Sequence, residues 1–420
     1  MLAVGLAALS SVLAGSGCAL KTALLGAEKR DAYEFHEHLK VTDPNFRRSA
    51  EALGNPLVAG NSVTLLENGD EIFPAMVKDI RSATKSVDLE TYIYKPDHAG
   101  RMIADALIFA ARHGVEVRLL VDAWGSKFKD LKAEFDAAGV HAKKYRPIRI
   151  FAINKVGRRT HRKILVVDGR IAYTGGMGID DRWLGDARNT HEWRDTMVRA
   201  EGPVAAQMQA IFAEDWTFTT GEILAGERFY PTIQPTGNVL SQAVKASRGD
   251  STSLAKIMYY ISIRSATRSI HIENAYFLPD KQVRKALTDA AARGVDVEVI
   301  VPGRNIDLPM VRFASWVHYG ELLQGGVHIW EYLPTMLHNK TMVVDGLYAT
   351  VGSINFEERS MNTNEEDSLA FYDASFGAQM EEMFDQDRKH STEITYEIWK
   401  HRGFPKKISE TVFWAFEPYY

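Results

Sequence analysis

Two segments of the chain carry the same residue types at the same spacing, His-x-Lys-x4-Asp-x6-Gly. The first segment is THRKILVVDGRIAYTGGMG and the second is LHNKTMVVDGLYATVGSIN. The pattern residues are His161, Lys163, Asp168 and Gly175 in the first segment, and His338, Lys340, Asp345 and Gly352 in the second. One His-x-Lys pair arises easily by chance, whereas two copies with matching intervals indicate a duplicated functional motif. We therefore expect two histidines and two lysines to meet in one site that cleaves a phosphodiester.

These residue types suit chemistry at phosphorus without a metal ion. An imidazole nitrogen can attack phosphorus, and a second imidazole can protonate the oxygen that leaves. Residues two apart on a strand point to the same side, so each lysine should accompany its histidine. Two ammonium groups then balance the charge that Mg²⁺ would otherwise offset. The motif predicts a catalytic set of His161, Lys163, His338 and Lys340, with no metal and no cofactor.

The two copies differ after the motif glycine. The second copy continues as Gly-Ser-Ile-Asn, so Ser353 and Asn355 are predicted to bind the substrate phosphate together with Lys163 and Lys340. The first copy has glycines at both positions. We expect backbone amides to replace the missing side-chain donors there.

Carboxylates have two possible uses around this site. Asp168 and Asp345 are catalytic candidates as members of the motif, but they precede glycine, and turn formation is the favoured interpretation. Each histidine also needs a carboxylate that fixes its tautomer. The predicted orienting residues are Asp195 in HEWRD and Glu366 in NTNEED, with Glu192, Glu365 and Asp367 as close competitors.

The repeat extends well beyond the motifs. SVDLETYIYKPD at 86–97 resembles SIHIENAYFLPD at 269–280, and ALIFAARHGVEVRLLV at 106–121 resembles ALTDAAARGVDVEVIV at 286–301. In both places a β-branched strand leads to an amphipathic helix, a glycine and a second apolar strand, which is typical of an α/β unit. The chain therefore consists of two homologous halves.

The predicted fold is two α/β/α sandwich halves with mostly parallel sheets, related by a pseudo-two-fold axis and sharing one active site. The halves are predicted at 60–220 and 236–395, and the stretch 217–250, rich in Gly, Thr and Pro, is the predicted linker. The first helix of each half should end at a glycine, Gly114 or Gly294.

Both termini suggest contact with a membrane. Residues 1–20 carry no charge and include Cys18, the single cysteine, so a signal, a lipoprotein signal or an anchor is expected. The side of the membrane stays open. The C-terminal tail at 396–420 contains an apolar, aromatic stretch that either touches the membrane interface or packs against the second half. A single cysteine excludes an internal disulfide and any cysteine-based metal cluster.

The charge balance bears on the partners. A formal net charge of −4 provides no global positive field, which disfavours nucleic acid as the substrate. Nothing in the sequence predicts the oligomeric state.

At these motifs the chain resembles the phospholipase D superfamily, and within it the bacterial cardiolipin synthases. The sequence segments that support the likeness include LETYIY, DDRWLGDARNTHEWRDT and GSINFEERS. The likeness extends over roughly residues 60 to 395. The resemblance implies transfer of a phosphatidyl group through a phosphohistidine, at the surface of a bacterial membrane. His161 would be the nucleophile, His338 the general acid and then the base, and Lys163, Lys340 and Asn355 the phosphate ligands.

The resemblance implies phosphatidylglycerol as the lipid substrate, with a second phosphatidylglycerol as acceptor and glycerol as the released product. A phospholipase D hydrolase with water as acceptor is the alternative, and a nucleic-acid phosphodiesterase is disfavoured by the charge. A lipid-binding scaffold without activity would require a broken motif. Four aromatic residues are candidates for an acyl pocket or for the core: Trp183, Trp193, Tyr276 and Phe277.

Overall fold

The two motif copies lie in equivalent places of one wide β-sheet. The computed structural model describes residues 33–147, 159–247 and 253–403, and from His38 onwards these form one unit. The predictions for 1–20 and for most of the tail at 396–420 lie outside the described residues.

The described strands and helices are numbered here in chain order. The strands are β1 (Val58–Glu67), β2 (Ser86–Thr91), β3 (Glu116–Asp122), β4 (His141–Tyr145), β5 (Ile164–Val167), β6 (Ile171–Gly175), β7 (Thr196–Glu201), β8 (Val239–Ala246), β9 (Ser269–Asn274), β10 (Asp296–Pro302), β11 (His328–Tyr332), β12 (Lys340–Val344), β13 (Tyr348–Gly352), β14 (Glu366–Tyr372) and β15 (Ser391–Glu393). The α-helices are α1 (Pro44–Leu53), α2 (Asn68–Ser82), α3 (His98–Arg112), α4 (Lys132–Ala138), α5 (Ala205–Thr220), α6 (Leu254–Arg264), α7 (Lys281–Ala292), α8 (Pro309–Gln324), α9 (Glu358–Asn362), α10 (Ala374–Lys389) and α11 (Tyr396–Lys400).

Each half contributes seven strands in the same order. The first half runs β1-β7-β6-β5-β2-β3-β4 and the second runs β8-β14-β13-β12-β9-β10-β11. Pairing of β1 with β8 joins the two sets, and β15 extends the edge next to β11. The matching order confirms two homologous α/β halves with a pseudo-two-fold relation.

The prediction of mostly parallel sheets was wrong. Parallel pairing is confined to β2-β3-β4 and β9-β10-β11 among the described strands, where helices cross between neighbours. The remaining pairs are antiparallel, including the motif hairpins β5-β6 and β12-β13. Three residues separate the strands of each hairpin, which is too short for the crossover that parallel pairing requires, so these strands pair antiparallel. Hydrophobic periodicity indicates a strand but not its direction.

The motif aspartates build the turns of these hairpins. Asp168 and Gly169 have φ of 52° and 63°, and Asp345 and Gly346 have φ of 54° and 62°. Two successive residues with positive φ make a type I′ turn, for which Asp-Gly is a preferred sequence. The Asp345 carboxylate also accepts hydrogen bonds from the backbone amides of the 267–269 segment at 2.7–3.1 Å. Each aspartate therefore ties its hairpin to the start of a neighbouring strand.

Replacing Asp345 with alanine should destabilise the protein by about 3 kcal/mol, because three amides lose their acceptor and alanine disfavours positive φ. The shift of the urea unfolding midpoint measures this loss. Asp373→Ala is the control, since its carboxylate accepts only one amide at the start of α10 and should cost about 1 kcal/mol. Normal stability of D345A with lost activity would instead support the catalytic alternative.

Two cores lie on opposite faces of the first half's sheet. Along β5, Leu165 packs with α2 and α3, whereas Val166 packs with α5. The second core continues into the other half through residues such as Phe371 and Met380. Helices therefore cover both faces, and the core shared with α5 binds the halves to each other.

The connection between the halves is shorter than predicted. The predicted linker at 217–250 contains the end of α5 and all of β8, which leaves 221–238 as the connecting segment. Gly114 and Gly294 follow α3 and α7 with φ of 87° and 88°, as predicted for helix ends. Within the described ranges, no helix is both long enough and apolar enough to cross a membrane.

Candidate active site

Each motif histidine is anchored to the opposite half of the chain. The backbone N–H of His161 donates to the carbonyl of Glu365 at 2.8 Å, and the N–H of His338 donates to that of Arg194 at 2.7 Å. These contacts form short parallel bridges just ahead of β5 and β12. The bridges bring the two motifs to one cavity. His161, Lys163 and His338 line it, and Lys340 contacts His338.

The carboxylates that orient the histidines are exchanged between the halves. Nδ1 of His161 lies 2.8 Å from Oε2 of Glu366, and Nδ1 of His338 lies 2.8 Å from Oδ2 of Asp195. Asp195 immediately precedes β7, and Glu366 is the first residue of β14. The two residues therefore stand at equivalent places in their halves. An N–H donated from Nδ1 to a carboxylate places the lone pair on Nε2, where it is available to a substrate.

The three competing carboxylates are used elsewhere. Glu192 caps an exposed turn and pairs with Arg188 at 3.2 Å. Glu365 lies 3.4 Å from Arg162. Asp367 accepts a short hydrogen bond from the hydroxyl of Thr174. None of the three has a hydrogen bond to a motif histidine in the described structure, which leaves Asp195 and Glu366 as the orienting pair.

The motif aspartates do not reach the histidines either. The Asp168 carboxylate accepts the amides of Thr84, Lys85 and Ser86 at 2.7–3.1 Å, in the same way as Asp345 does in its half. This geometry gives both residues the favoured turn role. Their direct participation in catalysis stays a prediction without a supporting contact.

Ser353, a predicted phosphate ligand, hydrogen-bonds to the carboxylate that orients His161. Its hydroxyl donates to Oε2 of Glu366 at 2.7 Å, while its oxygen accepts the amide of Asp367 at 3.0 Å. The single O–H donor of Ser353, which a phosphate oxygen would need, is therefore engaged with Glu366. Ser360 also donates to Glu366, at 2.8 Å, so Ser353 and Ser360 hold the carboxylate that orients His161. Asn355, in contrast, lines the cavity as predicted for a phosphate ligand.

In the first half, Trp183 donates a hydrogen bond to the orienting carboxylate, as Ser353 does in the second half. Its indole N–H donates to Asp195 at 2.8 Å, where Ser353 would serve the equivalent carboxylate. A Cβ at Gly176 would lie 2.2 Å from Oδ1 of Asp195, and one at Gly178 would lie 3.0 Å from the Trp183 ring. Asp195 and Trp183 thus leave no space for side chains at these two glycines. Donation of backbone amides to the phosphate in this half stays a prediction.

Both motif histidines are held in the neutral form by their surroundings. Burial lowers the pKa of His161 to about 4, although the nearby Glu366 acts in the opposite direction. Burial and the adjacent Lys340 ammonium lower the pKa of His338 to about 3. A neutral imidazole is the form that attacks phosphorus, so His161 is in the form that a nucleophile requires.

The lysines are also buried and easily deprotonated. Burial lowers the pKa of Lys163 to about 8 and that of Lys340 to about 7, against the attraction of nearby carboxylates. The ammonium of Lys340 lies 3.0 Å from Nδ1 of His338. An anionic phosphate between the two lysines would favour their charged forms and offset their repulsion.

The cavity encloses about 380 Å³, and aromatic rings line it next to His338. Trp183 and Trp193 pack around His338 with ring centroids 5.3 and 5.4 Å away, and Tyr276 lies at 6.4 Å. These three aromatic residues line the cavity, whereas Phe277 is buried against Phe356. The cavity residues that the sequence did not single out are Tyr92, Ile93, Trp124, Arg159, Asp307, Leu308, Val311, Glu357, Arg359 and Asn364.

Two buried ion networks, also missed from the sequence, support the motif strands. Arg162, which directly follows His161, contacts Asp215 of α5 at 2.8 Å. Arg194, which precedes Asp195, contacts Asp387 of α10 at 2.8 Å and so links the halves. The sequence shows that Arg162 and Arg194 stand next to His161 and Asp195. It does not show that each arginine pairs with a buried aspartate on a distant helix.

Comparison with known proteins identifies the family. A family model described as cardiolipin synthase, phospholipase D-like domain, matches residues 76–216 and 259–388, once in each half. The chain belongs to the cardiolipin synthase family of phospholipase D-like proteins. It is 35% identical over 363 residues to a cardiolipin synthase of Geobacillus kaustophilus (strain HTA426), covering 85% of this chain and 72% of the relative. Cardiolipin synthase A of Yersinia pseudotuberculosis serotype O:3 (strain YPIII) is 32% identical over 390 residues, with 90% and 80% covered.

Solved structures agree with the fold of this family. A phosphatidylserine synthase of Haemophilus influenzae Rd KW20 superposes with a TM-score of 0.67 at 16% identity, covering 89% of this chain and 97% of that one. A polyphosphate kinase of Porphyromonas gingivalis gives a TM-score of 0.56 at 14% identity, covering 87% and 53%. The family model and the cardiolipin synthase relatives confirm the resemblance inferred from the duplicated motif.

Proposed function

We propose that this cardiolipin synthase family member is a phosphatidyltransferase that uses phosphatidylglycerol as both donor and acceptor. It would move the phosphatidyl group of one molecule to a hydroxyl of a second, which yields cardiolipin and glycerol. The observation that supports this most directly is the pair of carboxylate-oriented imidazoles, which face one cavity beside two buried lysines. The similarity to cardiolipin synthases over 85% of the chain supports the lipid substrate.

In the first step, Nε2 of His161 attacks the phosphorus of the donor. A phosphorus–nitrogen bond forms, the bond from phosphorus to the glycerol head group breaks, and His338 passes a proton to the departing glycerol oxygen. Glu366 stays ionised beside His161, because His161 and Lys163 outweigh burial and lower its pKa. This carboxylate balances the positive charge on the phosphorylated imidazole. Lys163, Lys340 and Asn355 hold the phosphate oxygens.

In the second step, the roles at His338 reverse. Its neutral imidazole takes the proton from the acceptor hydroxyl, the resulting oxygen attacks phosphorus, and the bond to His161 breaks. His338 must carry a proton in the first step, although its pKa in the empty site is about 3. A bound phosphodiester anion counters the charge of Lys340, which raises the pKa of His338 when the substrate is present.

The rim of the cavity suits a lipid surface. Trp124 and Leu308 line the cavity and are 61% and 40% exposed, and Met310 beside them is 38% exposed. Large apolar side chains at the mouth of a charged cavity favour entry of a head group from a membrane, with the acyl chains left outside. We propose the surface of a bacterial membrane as the place where the enzyme works.

The product assay tests this function. Purified full-length protein with labelled phosphatidylglycerol in vesicles should yield cardiolipin and glycerol in equal amounts, and EDTA should not reduce the rate. Phosphatidic acid as the sole product would overturn the transfer reaction and indicate hydrolysis with the same site. The variant H328Q is the control, because His328 pairs with Glu393 on an exposed edge and lies outside the cavity.

The pH profile of kcat/KM should fall about tenfold per pH unit above about pH 4, because the free enzyme must carry a proton on His338, whose pKa is about 3, to begin the first step. Below about pH 4 the profile should level or fall, because protonated His161, whose pKa is about 4, cannot attack. A steeper alkaline limb should begin near pH 7, because Lys340 and Lys163, with pKa of about 7 and 8, lose the charge that holds the phosphate. Initial rates in mixed micelles from pH 4 to 9 measure both limbs. The alkaline limb should move upward in K340R, and an unshifted limb would contradict the assignment to Lys340.

A further inference from the structure

A histidine and three carboxylates meet on the second half's sheet, on the face that α10 covers. His271 of β9 lies opposite Glu298 of β10, and Asp296 stands two residues earlier on the same face. Glu381 of α10 forms a short hydrogen bond with Nδ1 of His271. None of these four residues lines the reaction cavity. The cluster is therefore separate from the phosphate chemistry.

Two ligand atoms in this cluster have no hydrogen-bond partner of normal geometry in the part of the chain that the structure describes, although Trp330 also interacts with Glu298. They are Nε2 of His271 and Oε2 of Glu298, and both are closed off from solvent. The Glu298 side chain is only 9% exposed, and its other oxygen lies 3.3 Å from Nη1 of Arg388. A buried imidazole nitrogen and a buried carboxylate oxygen are costly to leave unpaired. A cation between them would satisfy both.

The imidazole is held in the way that metal-binding histidines usually are. A carboxylate on Nδ1 fixes the tautomer and directs Nε2 away from Glu381. The ring also stacks on Phe384, with centroids 4.6 Å apart and an angle of 11° between the planes. Nε2 lies 3.9 Å from Oδ2 of Asp296, and the ligand atoms of His271, Asp296 and Glu298 all lie within 4.8 Å of one another. Ligand atoms around a tetrahedral zinc ion lie about 3.4 Å apart. Side-chain rotations that move the ligand atoms by roughly 1 Å would therefore bring them to this spacing.

The duplicated first half shows what normally occupies this position. There the strand register pairs Asp88 with Arg118, just as it pairs His271 with Glu298 in the second half. The buried guanidinium of Arg118 lies 3.7 Å from Asp88 and 3.0 Å from Glu116. Arg118 is thus the central cation of the first network. In the second half a glutamate replaces it at this position, and the guanidinium of Arg388 pairs with only one oxygen of Glu298, at 3.3 Å.

We propose that His271, Asp296 and Glu298 bind a divalent transition-metal ion of the zinc type, and that Glu381 positions the histidine. Imidazole nitrogen with two carboxylate oxygens suits Zn²⁺, and a water completes four-fold coordination. Asp296 is 56% exposed, which gives the ion a route from solvent. The ion would link β9 to β10 beneath α10. This role goes beyond the proposed transfer reaction and does not depend on it.

Metal titration of the untagged full-length protein tests the site. After dialysis against EDTA and removal of the chelator, calorimetric titration with ZnCl₂ should show saturable binding of one ion per chain. Zinc should also raise the melting temperature, because it binds the folded form. The variants D296N and E298Q should bind at least tenfold more weakly. H328Q is the matched control, since His328 pairs with one carboxylate at 2.8 Å and should leave the affinity unchanged.

Three results would overturn the proposal. They are the absence of one saturable zinc site per chain, unchanged affinity in D296N, and equal weakening by H328Q, which would indicate binding by surface histidines. Asp296 is exposed, so D296N should fold even if a change at the buried Glu298 does not. Binding is measured without lipid, so its outcome is independent of the transfer assay.

Discussion

Replacing His161 with alanine should remove the covalent intermediate and reduce transfer by at least about 10⁴-fold, because no other group can take its place as nucleophile. His338→Ala should also stop turnover. Without the proton donor the phosphoenzyme should form slowly, and without the base it should then persist. The loss of His338 removes the proton donor and acceptor, while the nucleophile and its carboxylate Glu366 remain.

Quenched reactions with phosphorus-labelled phosphatidylglycerol distinguish the two variants. Acid-labile label should accumulate on H338A, be absent from H161A, and map to the peptide that contains His161. Thermal melting shows whether each variant is folded, and H328Q should behave as the unaltered enzyme. Label on His338 in the H161A variant would reverse the assignment of nucleophile and acid.

The exchange of carboxylates between the halves leads to the second large effect. Glu366→Gln should reduce kcat by about 10²- to 10⁴-fold, because a neutral amide neither fixes the Nδ1–H tautomer of His161 nor balances its positive charge. Asp195→Asn should act similarly through His338. The two changes should differ in the step they slow. E366Q should lower the rate of phosphoenzyme formation, whereas D195N should impair both protonation of glycerol and activation of the acceptor.

Glu365→Gln is the matched control for E366Q. Glu365 is the adjacent residue, but its side chain lies 3.4 Å from Arg162 and has no hydrogen bond to His161 in the described structure. Rapid-quench measurement of the burst should show near-normal phosphoenzyme formation in E365Q. Equal losses in E365Q and E366Q would indicate a general disturbance of the strand rather than loss of the orienting carboxylate.

The sequence predicted the composition of the site better than its arrangement. The matching spacing identified the histidines and lysines, and the short segments HEWRD and NTNEED contained Asp195 and Glu366. The choice between Glu365 and Glu366 depends on which face of β14 points to the cavity, because neighbouring residues on a strand point to opposite sides. That face depends on the register with β8 and β13, which is a tertiary property.

Long-range substitutions explain the remaining differences. Trp183 fills the space beside Gly178 and bonds the carboxylate that orients His338, although it lies outside the motif. Ser353 lies inside the motif but faces Glu366 rather than the cavity. The parallel prediction failed for a similar reason, since local periodicity does not report which strands become neighbours. These features arise from packing between distant segments, and only the folded chain shows them.

The exchanged carboxylates also affect the order of events during synthesis of the protein. The ribosome completes the first half before β14 exists, so a nascent chain holds His161 without Glu366 and Asp195 without His338. The emerging first half is therefore a chemically incomplete fragment that lacks half of the catalytic groups. Competence would begin only when the second half folds against the first, and a chain cut within 221–238 should regain it when the two pieces associate.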